Sequence, residues 1–287
     1  MKKTILLIVS VAICFCVSGC FKRDNMEDIN IITTVYPLEY VTSKIYGDHA
    51  LISSIYPDGT DTSNYELKPK QLNDFSKRDL FIYMGSTDDR DIAATLVNKK
   101  NGILIIDGSF GMDFENNKEE LWLDPANLLM IAQNIKTGLQ EYIKNNYLKQ
   151  EIDDKYNKLK IELSELDAEL KLTAENATYK TIVVANDSLK FLEKYGFNVI
   201  SIASDKTLEK TMNDIILKIN SGEVKYIYML EYDTDNKNVK DLLASTKVKT
   251  LKLKKLDTIS DEEREEKLDY IKIMNNNIDL IKKGLYN

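Results

Sequence analysis

Histidine is almost missing from this chain: His49 is the one such residue in 287. That nearly excludes any site built from several imidazoles, whether a metal centre or a proton relay. Cysteine is hardly richer. Cys14, Cys16 and Cys20 all lie within the first twenty positions, so a mature chain whose first residue is a modified Cys20 keeps no thiol for a disulfide, a zinc site or a nucleophile. Eleven Gly and four Pro are too few for a loop-rich or fibrous chain and favour long regular elements. No glycine spacing matches a P-loop or a dinucleotide turn, so no nucleotide cofactor is expected. With one His and no mature Cys, the nucleophile and base pairs of hydrolases lack parts, and the chain does not read as an enzyme.

What is present begins with a targeting segment. Lys2 and Lys3 precede an apolar run from Ile5 to Val17, and Val17-Ser18-Gly19-Cys20 follows at once. The run is about 13 residues, short of the roughly 20 that a spanning helix needs. Its small residues before a cysteine resemble a bacterial lipobox. Residues 1–20 are therefore expected to be a signal peptide, with Cys20 as the lipidation site for an acyl chain such as palmitate. The mature protein is then lipid-anchored at the outer face of the bacterial cytoplasmic membrane, with residues 21–28 as a polar tether. Losing Lys2 and Lys3 turns 39 basic against 46 acidic residues, net −7, into 37 against 46, net −9. The lysines are dispersed among acids and form no stripe, which argues against a nucleic-acid partner.

The body is 43% apolar and 30% charged, enough for one large domain or two ordinary ones, each with its own core. Buried-strand patterns span Ile29–Val35, Ala50–Tyr56, Asp79–Met84 and Gly102–Asp107. Helical patterns fall between them, over Leu38–Tyr46, Lys70–Lys77 and Asp88–Asn98. From Asp124 to Glu175 there is no Pro beyond Pro125 and no Gly beyond Gly138, and Leu128, Ile131, Ile135, Leu139 and Ile143 recur at helical spacing. The charged stretch that follows keeps only a thin seam of Tyr156, Leu159, Leu163, Leu166 and Leu170. One or two long helices fit, and a helix bridging two lobes accounts for the polarity better than a free coiled coil. Strands then return near Thr181–Ala185, Asn198–Ala203, Lys225–Leu230 and Val248–Leu253, with helices near Ser188–Tyr195, Thr207–Asn220, Asn236–Ser245 and Asp261–Gly284. The expected fold is α/β with an N-terminal lobe over 29–123, a bridging helix over 124–175 and a C-terminal lobe over 176–287. Each lobe has a mostly parallel sheet flanked by helices. The carboxyl ends of both sheets should face one crevice, where ligands of such folds bind.

Several segments then resemble one family, the metal-type solute-binding lipoproteins of bacterial ABC transporters, cluster A-I, which includes zinc- and manganese-binding proteins. Thr33-Thr34-Val35-Tyr36-Pro37-Leu38 is similar to its first strand, Ile45-Tyr46-Gly47-Asp48 to its Ile-x-Gly-Asp segment, and Pro57-Asp58-Gly59-Thr60 to the loop before its first ligand. Trp122-Leu123-Asp124-Pro125 with Asn127 resembles the start of its bridging helix, and Asp269-Tyr270-Ile271 through Met274, Asn277 and Leu280 to Leu285 its closing helix. Nearly all of Ile29 to Leu285 is covered.

The family's metal is typically held by three His and one carboxylate, and the resemblance implies that here the three histidines are replaced. Ser63, in Gly59-Thr60-Asp61-Thr62-Ser63-Asn64-Tyr65-Glu66, takes the first ligand position, and Glu120, two residues before Trp122, takes the second. The third falls on Asn186 with a one-residue gap before Tyr195-Gly196, and on Ala185 without it. Asp257, the one carboxylate kept, is the fourth. Such a set offers oxygen alone, so zinc should bind weakly. An oxygen-ligated ion such as manganese, calcium or magnesium fits better, with Glu120 and Asp257 as metal ligands. The same residues also suit a small polar or cationic solute. Two carboxylates meeting without a cation would repel, raising the pKa of one. Each residue has a plainer reading beside this: Ser63 as a turn residue, Glu120 as one acid in Glu119-Glu120, Asn186 as a helix cap, Asp257 as a solvated loop carboxylate. His49 lies away from every ligand position, and Trp122 reads as a packing anchor.

The resemblance thus implies a substrate-binding lipoprotein of a metal-family ABC importer. It would act as a monomer, held at the membrane by its lipid, and pass its cargo to a permease and its ATPase subunit. The second expectation is a degenerate member that has lost metal binding and serves as a surface adhesin or interaction lipoprotein.

Overall fold

The computed structural model describes residues 24–99, 102–112, 120–204, 206–234 and 236–286. The expected signal peptide, Cys20 and the first part of the tether lie outside these residues. Among the described residues, no helix is long and apolar enough to cross a membrane.

Two four-stranded sheets form the frame. The first holds β1 (Ile29–Thr33), β2 (Ala50–Ser54), β3 (Leu80–Tyr83) and β4 (Leu104–Asp107) in the order β2-β1-β3-β4. The second holds β5 (Thr181–Val184), β6 (Asn198–Ser201), β7 (Tyr226–Leu230) and β8 (Lys249–Leu253) in the order β6-β5-β7-β8. Every pairing is parallel, as expected. Central strands such as Leu80-Phe81-Ile82 and Thr181-Ile182-Val183-Val184 are buried on both faces, which is what helices on either side require. Edge strand β2 alternates between half-buried and exposed residues instead.

Around the first sheet pack α1 (Tyr36–Tyr46), α2 (Pro69–Phe75) and α3 (Asp89–Lys99), and around the second α6 (Glu209–Asn220), α7 (Lys237–Ser245) and α9 (Tyr270–Leu285), with the short α8 (Asp261–Glu265), which buries no residue, preceding α9 in the chain. Between the lobes run two helices, α4 (Pro125–Tyr142) and α5 (Asn146–Asn176), where one bridging helix spanned the sequence reading. The break has a local cause. Ile143 turns extended, and the Asn145 side chain restarts the helix by accepting from the Tyr147 amide at 2.9 Å. With 31 residues, α5 is roughly 46 Å long at 1.5 Å per residue. Its seam from Tyr156 to Leu170 is buried, against α4, α1 of the first lobe and α9 of the second. The charged remainder faces water.

Three further segments depart from expectation. Asp187–Tyr195 is a 3-10 helix. The helix expected over 261–284 is two, because Lys267 adopts a left-handed backbone (φ 55°) and Asp269 caps a new start by accepting from the Lys272 amide at 3.1 Å. The tether expected over 21–28 is packed in its described part: Met26 is buried, and the Asp24 carboxylate accepts from the backbone amides of Met26, Lys144 and Asn145.

Candidate functional site

The loops that leave the carboxyl ends of the strands meet between the lobes. In each sheet the chain goes one way from the first strand and the other way afterwards, so β1/β3 and β5/β7 are the switch points where such folds leave room for ligands. Val35 after β1 and Met84, Asp88 and Asp89 after β3 line a crevice cavity of about 300 Å³ together with Tyr56, Ser63, Glu120, Trp122 and Lys255.

At one wall of this cavity a lysine gathers three of the four expected site residues. The Lys255 ammonium donates to Ser63 Oγ at 2.9 Å and stands 3.2 Å from Asp257 Oδ2 and 3.3 Å from Glu120 Oε1. Lys255 lies just past the end of β8, so it and Asp257 come from the second lobe, while Ser63 and Glu120 come from the first-lobe side. All three charges are withdrawn from water: Lys255 is 8% exposed, Glu120 7% and Asp257 0%. Burial alone would lower the Lys255 pKa, but Asp257 and Glu120 outweigh it and hold the ammonium above the usual lysine value.

The surroundings hold this arrangement in place. Asp257 Oδ2 also accepts from the Thr62 hydroxyl at 2.6 Å and the Thr62 amide at 3.3 Å, and Oδ1 from the Thr258 amide at 3.1 Å. Glu120 Oε2 accepts from the Ser188 hydroxyl. Trp122 Nε1–H donates to the Lys255 carbonyl at 2.8 Å, so it fixes the lysine's backbone besides packing. Glu120 (φ 46°) and Leu256 (φ 64°) both sit in the left-handed region, a strain of about 1–2 kcal/mol each for residues other than glycine. Strain of this kind gathers at functional sites.

The lobes are sealed next to this point. Gly59 N donates to Ile259 O at 2.9 Å, the Thr258 hydroxyl to Thr60 O at 2.8 Å, and the Tyr36 amide to Asp257 O at 2.9 Å. Arg264 of α8 forks onto Glu39 of α1 at 2.9 and 3.2 Å and onto Asp58. Gly59 turns this loop with a positive φ of 70°, open to glycine at little cost.

Of the residues expected to form the site, Ser63, Glu120 and Asp257 are brought together and Asn186 is not. Its amide donates to Asp233 at 3.1 Å, while its oxygen caps the following turn by accepting from the Ser188 amide at 2.9 Å. The plainer reading of Asn186 as a cap fits. The expectation that Glu120 and Asp257 repel is corrected, because Lys255 supplies a cation to both. Lys255 itself escaped the sequence reading. It sits in Lys252-Leu253-Lys254-Lys255, where it looks like one more solvated lysine, and its place two residues before Asp257 was the only available signal. Among the described residues, no group of three or more His, Cys, Asp or Glu is placed to hold a metal ion. His49 bonds Glu151 of α5 at 3.0 Å, remote from the crevice.

Two parallel-sheet lobes joined by paired helices and meeting over one polar crevice make a solute-binding protein of the two-lobed kind. Comparison with known proteins narrows this. The family profile described as zinc-uptake complex component A, periplasmic (ZnuA), matches residues 31–284. The chain is 26% identical to the high-affinity zinc uptake system protein ZnuA of Bacillus subtilis (strain 168), over 90% of this chain and 88% of that one. It is 27% identical to the metal ABC transporter substrate-binding lipoprotein of Lactococcus lactis subsp. lactis (strain IL1403), over 99% and 98%. In structure it is similar to the metal-dependent lipoprotein YcdH of Bacillus subtilis, with a TM-score of 0.75 at 22% identity, covering 91% of this chain and 100% of that one. It spans 61% of the length of the zinc-binding AdcA proteins of Streptococcus pyogenes that it also matches. The chain belongs to the ZnuA family, whose members are solute-binding components of ABC transporters and not enzymes.

Proposed function

We propose that this protein captures a positively charged cargo in the inter-lobe crevice and delivers it to an ABC permease driven by its ATPase subunit. It does so as a monomer anchored through a lipid on Cys20. The observation that carries the cargo class is the charge of the cavity wall: among the described residues, Asp88, Asp89 and Glu120 line it against Lys255. Its volume of about 300 Å³ lies at the lower end of pockets that take small organic ligands, which start near ~300 Å³. An amine-bearing solute can set its ammonium against these carboxylates and its body against Tyr56 and Trp122. An oxygen-ligated divalent ion such as manganese, calcium or magnesium is the second reading, supported by family membership; it requires the Lys255 ammonium to vacate the oxygens of Ser63, Glu120 and Asp257, which it meets at 2.9, 3.3 and 3.2 Å. On either reading the family's three histidines are replaced, as the cluster A-I resemblance implies, and zinc is disfavoured.

The test is a ligand-induced melting shift on protein purified without chelators or a metal-affinity tag, across divalent ions and small amines. A true cargo stabilises by RT ln(1 + [L]/Kd), about 2.7 kcal/mol at a hundredfold excess over Kd. Glu120→Gln should remove most of that shift. Wild-type protein that melts unchanged with every cation tried would end the cargo reading and favour an interaction lipoprotein.

A further inference from the structure

The point on which Ser63, Glu120 and Asp257 converge is already filled by a cation of this chain. Building on the cargo reading above, we infer that Lys255 is a tethered surrogate for a divalent ion: it closes the crevice from within and makes the protein reject free divalent metal.

Coordination is the first ground. An ammonium has three protons and no acceptor, and here it meets three oxygens, Ser63 Oγ at 2.9 Å, Asp257 Oδ2 at 3.2 Å and Glu120 Oε1 at 3.3 Å. Those oxygens come from both lobes, so the lysine joins the lobes as a bound ion would. Asp257 Oδ2 and Oδ1 and Glu120 Oε2 are further engaged by Thr62, Thr258 and Ser188. A divalent ion needs oxygens at roughly 2.0–2.6 Å, which would put it within the space of the ammonium and against its charge.

The lysine is also held where it is. Its carbonyl accepts from Trp122 at 2.8 Å, its amide donates to Glu231 at 3.2 Å, and the residue is 8% exposed. Withdrawal would leave Asp257, fully buried, without a counter-charge, a costly state. A cationic cargo therefore meets the open cavity beside Lys255, not the point Lys255 fills. The residue decides between a bare ion and a larger cationic solute.

The experiment compares metal-stripped wild type with Lys255→Ala, full-length in detergent, using the chlorides of zinc, manganese and calcium as the probes, by melting shift and calorimetry. Wild type should show no shift with any ion. Lys255→Ala should gain at least a tenfold affinity for one of them, and the double variant Lys255→Ala/Glu120→Gln should lose that gain. Should Lys255→Ala lack structure alone, its far-ultraviolet dichroism should return on adding the ion. Wild type binding an ion as tightly as the variant overturns the inference, and so does a variant that gains no affinity or does not refold with any of the three. These outcomes are separate from the amine trials on wild type, which decide whether the crevice takes a cargo at all.

Discussion

A buried lysine is tolerable only where its surroundings return what water supplied, and Lys255 meets that condition through two carboxylates and a hydroxyl. The same logic, with the sign of the charge reversed, holds at Asp24. Burial would raise its pKa, but the amides of Met26, Asn145 and Lys144 at 3.0, 2.7 and 2.8 Å outweigh it and hold the carboxyl below its ordinary range. A carboxylate with a depressed folded pKa contributes stability above its unfolded value of about 3.9, and that contribution fades as pH falls through the folded value. Asp24→Ala should therefore cost about 2 kcal/mol at neutral pH, with the two proteins converging in acid. Urea denaturation across pH checks this, and a constant difference down to the lowest pH would assign the loss to packing. Nothing in the polar run from Phe21 to Asp28 signals the docking of Asp24, because its partners Lys144 and Asn145 lie some 120 residues away.

Local capping rules explain most element boundaries. Ser260 and Glu263 form a reciprocal capping box at α8, and Asp269 opens α9. Both signals stand in the sequence, yet the apolar periodicity through 261–284 reads as continuous and masks the break at Lys267. Gly138 marks another element-scale constraint. A Cβ there would come within 2.8–2.9 Å of three side-chain carbons of Ile106, so the glycine lets α4 lie close against β4. Alanine is worth about 1 kcal/mol over glycine in a helix interior, whereas overpacking against a stiff, buried β-branched neighbour costs about 1–3 kcal/mol. The clash should win, making Gly138→Ala destabilising by about 1 kcal/mol. A thermal melt decides it, and a raised melting temperature would mean that α4 can shift outward freely.

Across the whole molecule, Asp24, the first described residue, and the crevice lie at opposite ends of the first sheet. Asp24 leads into the amino end of β1, whereas Val35, Met84 and Asp89 lie beyond the carboxyl ends of β1 and β3. A lipid on Cys20 would thus hold the protein by the edge away from the opening. Lipidation predicts that Cys20→Ala moves the protein from the membrane fraction to the soluble one, since one signal removed leaves no other anchor among the described helices. Equal membrane retention in fractionated cells would count against the lipobox reading.

Periodicity alone determined the alternating strands and helices, and with them two parallel sheets and a polar, amphipathic bridge. Apolar runs buried on both faces and a thin leucine seam each have one stable way to be covered. The family resemblance implied Ser63, Glu120, Asn186 and Asp257 as the site, and three of these four meet around one point. Only the tertiary structure decided what those three residues surround. Asn186 turned to Asp233, a bond across 47 positions, and Lys255 reached Ser63 across 192. A lysine's charge is legible in sequence, but its partners are set by which loops the two lobes bring together. In water that charge would be solvated; between two buried carboxylates it becomes the centre of a polar cluster that joins the lobes.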